Sequence, residues 1–180
     1  MNPAIKPRIV VGMSGGVDSS ATAALLQQQG YDVIGITLKL WPQDCVSRAE
    51  DKCCGPQAVM DARSVCARLG IPYYLIDEAG EFQRRVIQYF ADEYKAGRTP
   101  NPCVMCNRFL KFKKLFAWAG RRGIRQVATG HYARVRRDSR TGLCRLVTAR
   151  DREKDQTYSL SFLSQAQLRN ILLPLGDMTK

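Results

Sequence analysis

Apolar residues fall along this chain in short β-branched runs, separated by longer stretches with a helical repeat. Arg8–Met13 reads R-I-V-V-G-M, a continuous apolar run that predicts a strand buried on both faces. Gly15 and Gly16 break the run. Ser19 to Gln29 is rich in Ala, Leu and Gln, which predicts a helix closed by Gly30. Asp32–Leu40 returns to β-branched residues, V-I-G-I-T-L. Two strands joined through a helix pair in parallel, since the connection is a crossover rather than a hairpin.

The same alternation continues. Trp41–Gly55 has no period and reads as a loop. Pro56–Leu69 carries Val59, Ala62, Arg63, Cys66 and Leu69 at helical spacings, Gly70 ends that helix, and Pro72–Ile76 is a third strand. Glu81–Lys95 places Phe82, Val86, Tyr89, Phe90 and Tyr94 on one stripe, predicting a helix with that stripe in the core. Gly97–Asn107, with two prolines and two cysteines, reads as a loop. Arg108–Arg122 is a further helix and Gln126–Gly130 a fourth strand. Tyr132–Arg137 and Cys144–Thr148 predict a hairpin around Arg140–Gly142, and Ser164–Leu172 predicts a helix ended by Pro174. The expected architecture is α/β, a domain over residues 1–150 whose doubly wound parallel sheet runs from Arg8 to about Thr129. A small hairpin and helix extension follows, with residues 151–180 leading out of the domain.

At 180 residues, one main domain is expected. A content of 45% hydrophobic and 24% charged residues is that of a folded chain. No apolar run approaches the roughly 18 residues that span a bilayer, and Met1–Arg8 lacks the apolar stretch of a signal peptide. The expectation is a cytoplasmic protein with no membrane partner. Lys and Arg number 28 against 16 Asp and Glu, a formal charge of +12. A polyanion, with nucleic acid first, is the partner this charge favours. Arg clusters at Arg121–Arg125, Arg134–Arg140 and Arg145–Arg152 sharpen that reading. Seven cysteines without a secretory signal point to reduced thiols, metal binding or sulfur chemistry rather than a disulfide framework. The single histidine, His131, excludes multi-His metal sites and disfavours a Ser–His–Asp hydrolase. It reads as a structural hydrogen-bonding residue, Trp41 and Trp118 as packing anchors, and Cys45, Cys53, Cys54 and Cys66 as structural or incidental.

Two strings carry chemistry. Ser14-Gly15-Gly16-Val17-Asp18-Ser19-Ser20 lies between the first strand and the first helix. Its glycines permit close backbone approach and positive φ. Its serines stand where the free N–H groups and the dipole of a helix start favour an anion. A phosphate or pyrophosphate site follows, although the string is neither G-x-x-x-x-G-K-[ST] nor G-x-G-x-x-G. The second string is Thr99-Pro100-Asn101-Pro102-Cys103-Val104-Met105-Cys106-Asn107. Two thiols three positions apart can chelate a metal, form a redox pair, or present one activated thiolate. Cys106 precedes the expected helix, whose dipole, with Arg108 and Lys111, would favour the thiolate. A lone C-x-x-C falls two ligands short of a closed zinc site.

The first string resembles the PP-loop, S-G-G-x-D-S-[ST], of the ATP pyrophosphatase superfamily, with its adenine nucleotide alpha hydrolase-like fold. The second resembles the tRNA-specific 2-thiouridylase branch of that superfamily. So do Asp61-Ala62-Arg63, Gly70-Ile71-Pro72-Tyr73-Tyr74, Thr129-Gly130-His131-Tyr132-Ala133-Arg134 and Lys154-Asp155-Gln156-Thr157-Tyr158. The resemblance runs from Arg8 to Lys180. It implies an ATP-dependent transferase that thiolates the wobble uridine of tRNA. The C2 oxygen is adenylated, and sulfur from a persulfide then displaces AMP. It implies that Gly12, Met13, Ser14, Gly15, Gly16, Val17, Asp18 and Ser19 bind ATP phosphates, that Asp18 helps to hold Mg²⁺, and that Leu38 and Gly130 contact the nucleotide. It further implies that Cys106 is the sulfur-delivering nucleophile, passing through a disulfide or attacking directly. Asn101, Pro102 and Cys103 would contact the target base, and Lys154, Asp155 and Gln156 the tRNA. A cysteine desulfurase or sulfur-relay carrier would donate the sulfur.

Many members of the family have Asp where this chain has Cys103. That difference leaves open a [4Fe-4S] cluster held by Cys103 and Cys106. The family also has a further central domain, a β-barrel and a second catalytic cysteine, so the chain is expected to be its N-terminal catalytic portion. The alternatives are another PP-loop enzyme, such as a lysidine synthetase or an amide-forming ligase, and a non-catalytic RNA- or metal-binding module.

Overall fold

The computed structural model describes residues 6–41 and 55–180. Cys45, Cys53 and Cys54, and most of the expected Trp41–Gly55 loop, lie outside them. Seven strands are present among the described residues: β1 (Arg8–Gly12), β2 (Asp32–Lys39), β3 (Tyr73–Asp77), β4 (Gln126–Thr129), β5 (Ala133–Arg137), β6 (Cys144–Thr148) and β7 (Ile171–Leu172). Five form one parallel sheet in the order β3-β2-β1-β4-β7, while β5 and β6 pair as an antiparallel hairpin. The doubly wound α/β expectation and the hairpin are both met.

Helices cover both faces of the sheet. α1 (Val17–Gln28) and α2 (Pro56–Leu69) lie on one side. There Ala23, Leu26, Ala62 and Cys66 pack with Ile9 and Val11. On the other side lie two longer helices, each built in three pieces. α3 (79–95) runs through Ala79–Phe82, a π turn at Gln83–Ile87 and Gln88–Lys95. α4 (102–120) runs through Pro102–Cys106, a π turn at Asn107–Lys111 and Phe112–Gly120. Their residues Phe82, Val86, Leu110, Leu115 and Trp118 pack with Val10 and Ile36. The alternation of Ile9, Val10 and Val11 between the two layers is the period-2 geometry of a strand. Gly35 is needed at one crowded point, since a Cβ there would stand 2.6 Å from Cys66 Sγ.

Three expectations are corrected. Gly97–Asn107 is not all loop, because Pro102 opens α4 and Asn101 caps it, its side chain accepting from Val104 N–H at 3.1 Å. Asn at the cap and Pro at the first helical position are a helix-start signal. Ser164–Leu172 is not one helix. Only α5 (Gln165–Leu168) is helical, and Ile171–Leu172 joins the sheet beside β4. The open edge of β4 supplies backbone partners that a short helical continuation could not. Residues 151–180, expected to lead outward, thus return to the sheet. Finally, the α3 stripe is buried only in its first half. Phe82 and Val86 are in the core, but Phe90 and Tyr94 are exposed and stack on each other with centroids 5.6 Å apart. The π turn between them adds a residue and shifts the phase of the stripe. Trp41 and Trp118 do anchor packing, Trp41 edge-on to Phe82 at 5.0 Å and Trp118 within the core. Among the described residues no helix is long and apolar enough to cross a membrane.

Candidate functional site

The chain leaves β1 on one side for β2 and β3, and returns on the other through β4 and β7. Strand order reverses between β1 and β4, and the carboxyl ends at such a switch point are where open α/β sheets bind ligands. Gly12 of β1 and Thr129 of β4 stand in register there. A cavity of about 170 Å³ opens beside them. Ligand pockets run to roughly 300–1,000 Å³, so this space fits a part of a nucleotide.

One wall is the loop leaving β1. Gly15 has φ +79°, and a Cβ there would stand 2.3 Å from Ala58 O of α2. Both facts demand glycine. Gly16, expected to share that positive φ, is instead the extended N-cap of α1 at φ −86°. The Ser19 hydroxyl ties the loop together. It accepts from Ser14 N–H at 3.1 Å and from Ser14 Oγ at 3.2 Å, and donates to Gly16 O at 3.0 Å. No side chain caps α1, so its first-turn N–H groups and their dipole remain available to an anion. Gly130, just past β4, closes against the same turn, where a Cβ would stand 2.7 Å from the Asp18 carbonyl carbon.

The opposite wall is α4. Cys106 and Lys111 both line the cavity. Five residues apart on an α-helix they would diverge by about 140°. The π turn at Asn107–Lys111, with its i→i+5 repeat, brings them onto one face. Cys106 therefore sits inside α4, at the end of its first piece, rather than ahead of the helix as expected. The start of the helix is capped by Asn101, and a helix dipole acts mainly within its first turn. Lys111 is the basic neighbour of the thiol within the cavity. Arg108 instead lies over the Phe109 ring at 5.2 Å.

Of the remaining expected site residues, Met13, Ser14, Asp18, Ser19, Leu38 and Gln156 also line this cavity. Gly15, Gly16 and Val17 complete the loop beside it. Gln156 is held by Tyr132, whose N–H donates to its Oε1 at 3.0 Å. Asp18 is engaged on both oxygens, accepting from Tyr132 OH at 3.3 Å and from Lys180 Nζ at 2.9 Å. Asp155 builds the turn before Gln156. It accepts from Ala149 N–H and from the Thr157 hydroxyl, each at 2.7 Å. Lys154 is exposed, as are Asn101 and Cys103, with Pro102 half-buried. Cys103 thus faces solvent while Cys106 faces the cavity. Among the described residues no three Cys, His, Asp or Glu side chains are grouped to hold a metal ion. The basic clusters are partly engaged inside the protein: Arg134 and Arg136 share Asp177, and Arg122 lies 3.7 Å above the Trp118 ring.

His131 lines the cavity from a buried position. Burial, and secondarily the charge of Lys111, push its pKa down to about 3, so the ring is neutral at ordinary pH. It hydrogen-bonds Thr129 and Asn107, in keeping with the structural role expected of it. Thr129, Tyr132 and Lys180 are the site residues that motif reading missed as participants, whereas Lys111 stands near the thiol as expected. The π turn that sets its register has no sequence signature.

Known proteins resemble this chain over nearly its whole length. The family described as tRNA methyl transferase HUP domain matches residues 7–180. A tRNA-specific 2-thiouridylase MnmA of Heliobacterium modesticaldum is 52% identical over 176 residues, which is 98% of this chain and 46% of that protein. The protein of the same name from Clostridioides difficile is 50% identical over 96% of this chain and 48% of its own length. A predicted subunit of a tRNA methyltransferase from Methanocaldococcus jannaschii shares the fold. Its TM-score is 0.54 at 18% identity, covering 96% of this chain and 70% of that one. The chain spans about half the length of the curated relatives it matches.

Proposed function

Because the chain belongs to the family described as tRNA methyl transferase HUP domain, we propose that it is the nucleotide-binding and sulfur-handling part of a tRNA-specific 2-thiouridylase. One observation carries the reading: an uncapped helix start shaped for phosphate and the thiol-bearing helix border a single cavity. The name of the family speaks of methyl transfer, but a methyl transfer has no polyphosphate to hold. The curated relatives are named for thiolation.

In this reading Gly12–Ser19 hold the phosphates of ATP, with Leu38 and Gly130 at the nucleoside end. The uridine C2 oxygen attacks the α-phosphorus. The bond from that phosphorus to the bridging oxygen breaks, pyrophosphate leaves, and C2 now carries AMP as a leaving group. The first-turn amides of α1 are already aimed at the charge that develops on the phosphates. The terminal sulfur of a persulfide, delivered by a sulfur-donor protein, then adds at C2, and the C2–O bond to AMP breaks. A second thiolate takes the inner sulfur and closes a disulfide, leaving 2-thiouridine. Cys106 is one of these two sulfurs, in its thiolate form.

Mg²⁺ is often bound through one or two carboxylates together with substrate phosphates. Asp18, the only carboxylate lining the cavity among the described residues, suits that role once Lys180 releases Oδ2. A bound ion would neutralise phosphate charge. Arg152 and Lys154 are exposed and suit contact with tRNA phosphates.

The test is incubation with ATP, Mg²⁺, a sulfide source and unmodified tRNA, followed by mass analysis of the wobble nucleoside. The reading requires tRNA-dependent release of pyrophosphate and a 16-for-32 exchange of oxygen for sulfur mass, about +16 Da. Nucleotide hydrolysis indifferent to tRNA would overturn it.

A further inference from the structure

Four buried polar groups between β4 and α4 form a hydrogen-bonded chain that can run in only one direction. The Ser159 backbone carbonyl can only accept, so Asn107 faces it with Nδ2, at 3.3 Å. The same nitrogen lies 3.4 Å from His131 Nε2, and that ring nitrogen therefore accepts. The ring is neutral, so its one proton is on Nδ1. Nδ1 is 2.8 Å from Thr129 Oγ1, which is thereby the acceptor. The opposite assignment, with Thr129 donating to Nδ1, would set the ring proton on Nε2 against the hydrogens of Asn107.

The hydrogen of the Thr129 hydroxyl is left over. Thr129 is 2% exposed and borders the cavity. Among the described residues its oxygen has no partner besides His131. Its methyl group lies toward β1, 3.5 Å from where a Cβ on Gly12 would stand. Buried hydroxyl donors in folded proteins find an acceptor. Around this end of the cavity the α1 amides and the Thr129 hydroxyl have hydrogens to give, while the Asp18 carboxylate is already engaged by Tyr132 and Lys180. An acceptor-only ligand, a phosphate oxygen, matches those hydrogens.

We propose that Thr129 is a ligand-binding residue whose hydroxyl donates to a phosphate oxygen of the bound nucleotide, with His131 and Asn107 as positioning residues that fix its direction. The proposal rests on the reading of the cavity as an ATP site. Through this chain of bonds the helix bearing Cys106 and the strand bearing Thr129 are held to one polarity.

Isothermal titration with ATP tests it, using the wild-type chain, Thr129→Val and Thr129→Ser, each checked for a cooperative melt. A hydrogen bond to a charged group predicts a loss of roughly tenfold or more in affinity for Thr129→Val. Thr129→Ser, which keeps the hydroxyl, should recover most of that loss. Equal affinity in wild type and Thr129→Val, or an equal loss in Thr129→Val and Thr129→Ser, would overturn the proposal and leave the nucleotide site standing. No ATP binding by the wild type would instead sink the nucleotide reading itself. His131→Gln, made in the wild-type and Thr129→Val backgrounds, reads the positioning role. It should weaken ATP binding in the first and add nothing in the second. Equal losses in both would refute action through Thr129. If His131→Gln does not fold, the Thr129 pair decides alone.

Discussion

Two helices border the cavity from opposite walls, and their starts are built in opposite ways. α1 begins at Gly16 with no side-chain cap, so its leading N–H groups have nothing of their own to bind. α4 begins at Asn101, whose side chain takes the Val104 N–H at 3.1 Å. The first start is left open, and the second is completed by its own sequence. Leaving amides unsatisfied is unfavourable until an anion arrives, so the α1 side is a binding element that folding alone does not perfect. The α4 side is a rigid platform, and what it contributes is a side chain, Cys106. The same element of secondary structure thus serves as a receptor on one wall and as a mount on the other.

Substitutions on the two walls should separate these roles, and the largest effect belongs to the thiol. Cys106→Ser is expected to lower tRNA thiolation by at least about a hundredfold, since a hydroxyl is a far weaker nucleophile than a thiolate. Its affinity for ATP should stay within a factor of about two. A matching fall in ATP affinity would erase the division between the walls. On the other side, Gly130→Ala forces a Cβ to 2.7 Å from the Asp18 backbone, and backbone cannot step aside as a side-chain tip can. It should displace the α1 turn, reduce ATP affinity by an order of magnitude or more, and cost about 1–3 kcal/mol of stability, as overpacking does. Titration and thermal melts of the same sample report both.

The bridge between the walls should show in acid. His131 has a folded pKa of about 3 against an ordinary value of 6.5. Between those values the unfolded chain binds the proton and the folded chain does not. Stability from this group is therefore fully present above pH 6.5 and is lost as pH falls toward 3, by at most roughly 1.4 kcal/mol per unit. Urea melts at pH 7 and pH 5 should differ, and His131→Gln should shrink the difference. The smallest effect is Asn101→Ala, which removes the α4 cap and should cost roughly 0.5–2 kcal/mol. ATP affinity should be untouched, because the α1 wall does not depend on it.

Much of this arrangement was legible in the residues. R-I-V-V-G-M could hardly be anything but a central strand. The Gly-Gly-Val-Asp-Ser string after it announced an anion site, because the whole string leads from a strand end into a helix start. What could not be read had one physical root: hydrogen-bond registers that differ by a single residue. The π turns in α3 and α4 carry no compositional mark, so the exposure of Tyr94 was hidden, and so was the register by which Lys111 stands beside the thiol. β7 is two residues long, too short for any period, and exists only because β4 offers it an edge. Asp155 was read as a contact to RNA from its neighbours in the string, whereas its carboxylate is engaged in the turn that leads to Gln156.

The π turn at Asn107–Lys111 also sets how this stretch of chain can change in length. Such a turn is in effect one residue inserted into an α-helix. Deleting the exposed Arg108 would let the helix heal into regular α geometry with every backbone bond intact. Thiol and lysine would then stand four residues apart, about 40° from one another around the helix, and Phe112 and Leu115 would keep the cores they fill. Keeping all five residues while tightening the turn to α geometry would instead rotate everything beyond it by about 100°. Relatives that retain this chemistry can therefore carry the shorter spacing only together with a regular helix, and the longer one only together with the turn.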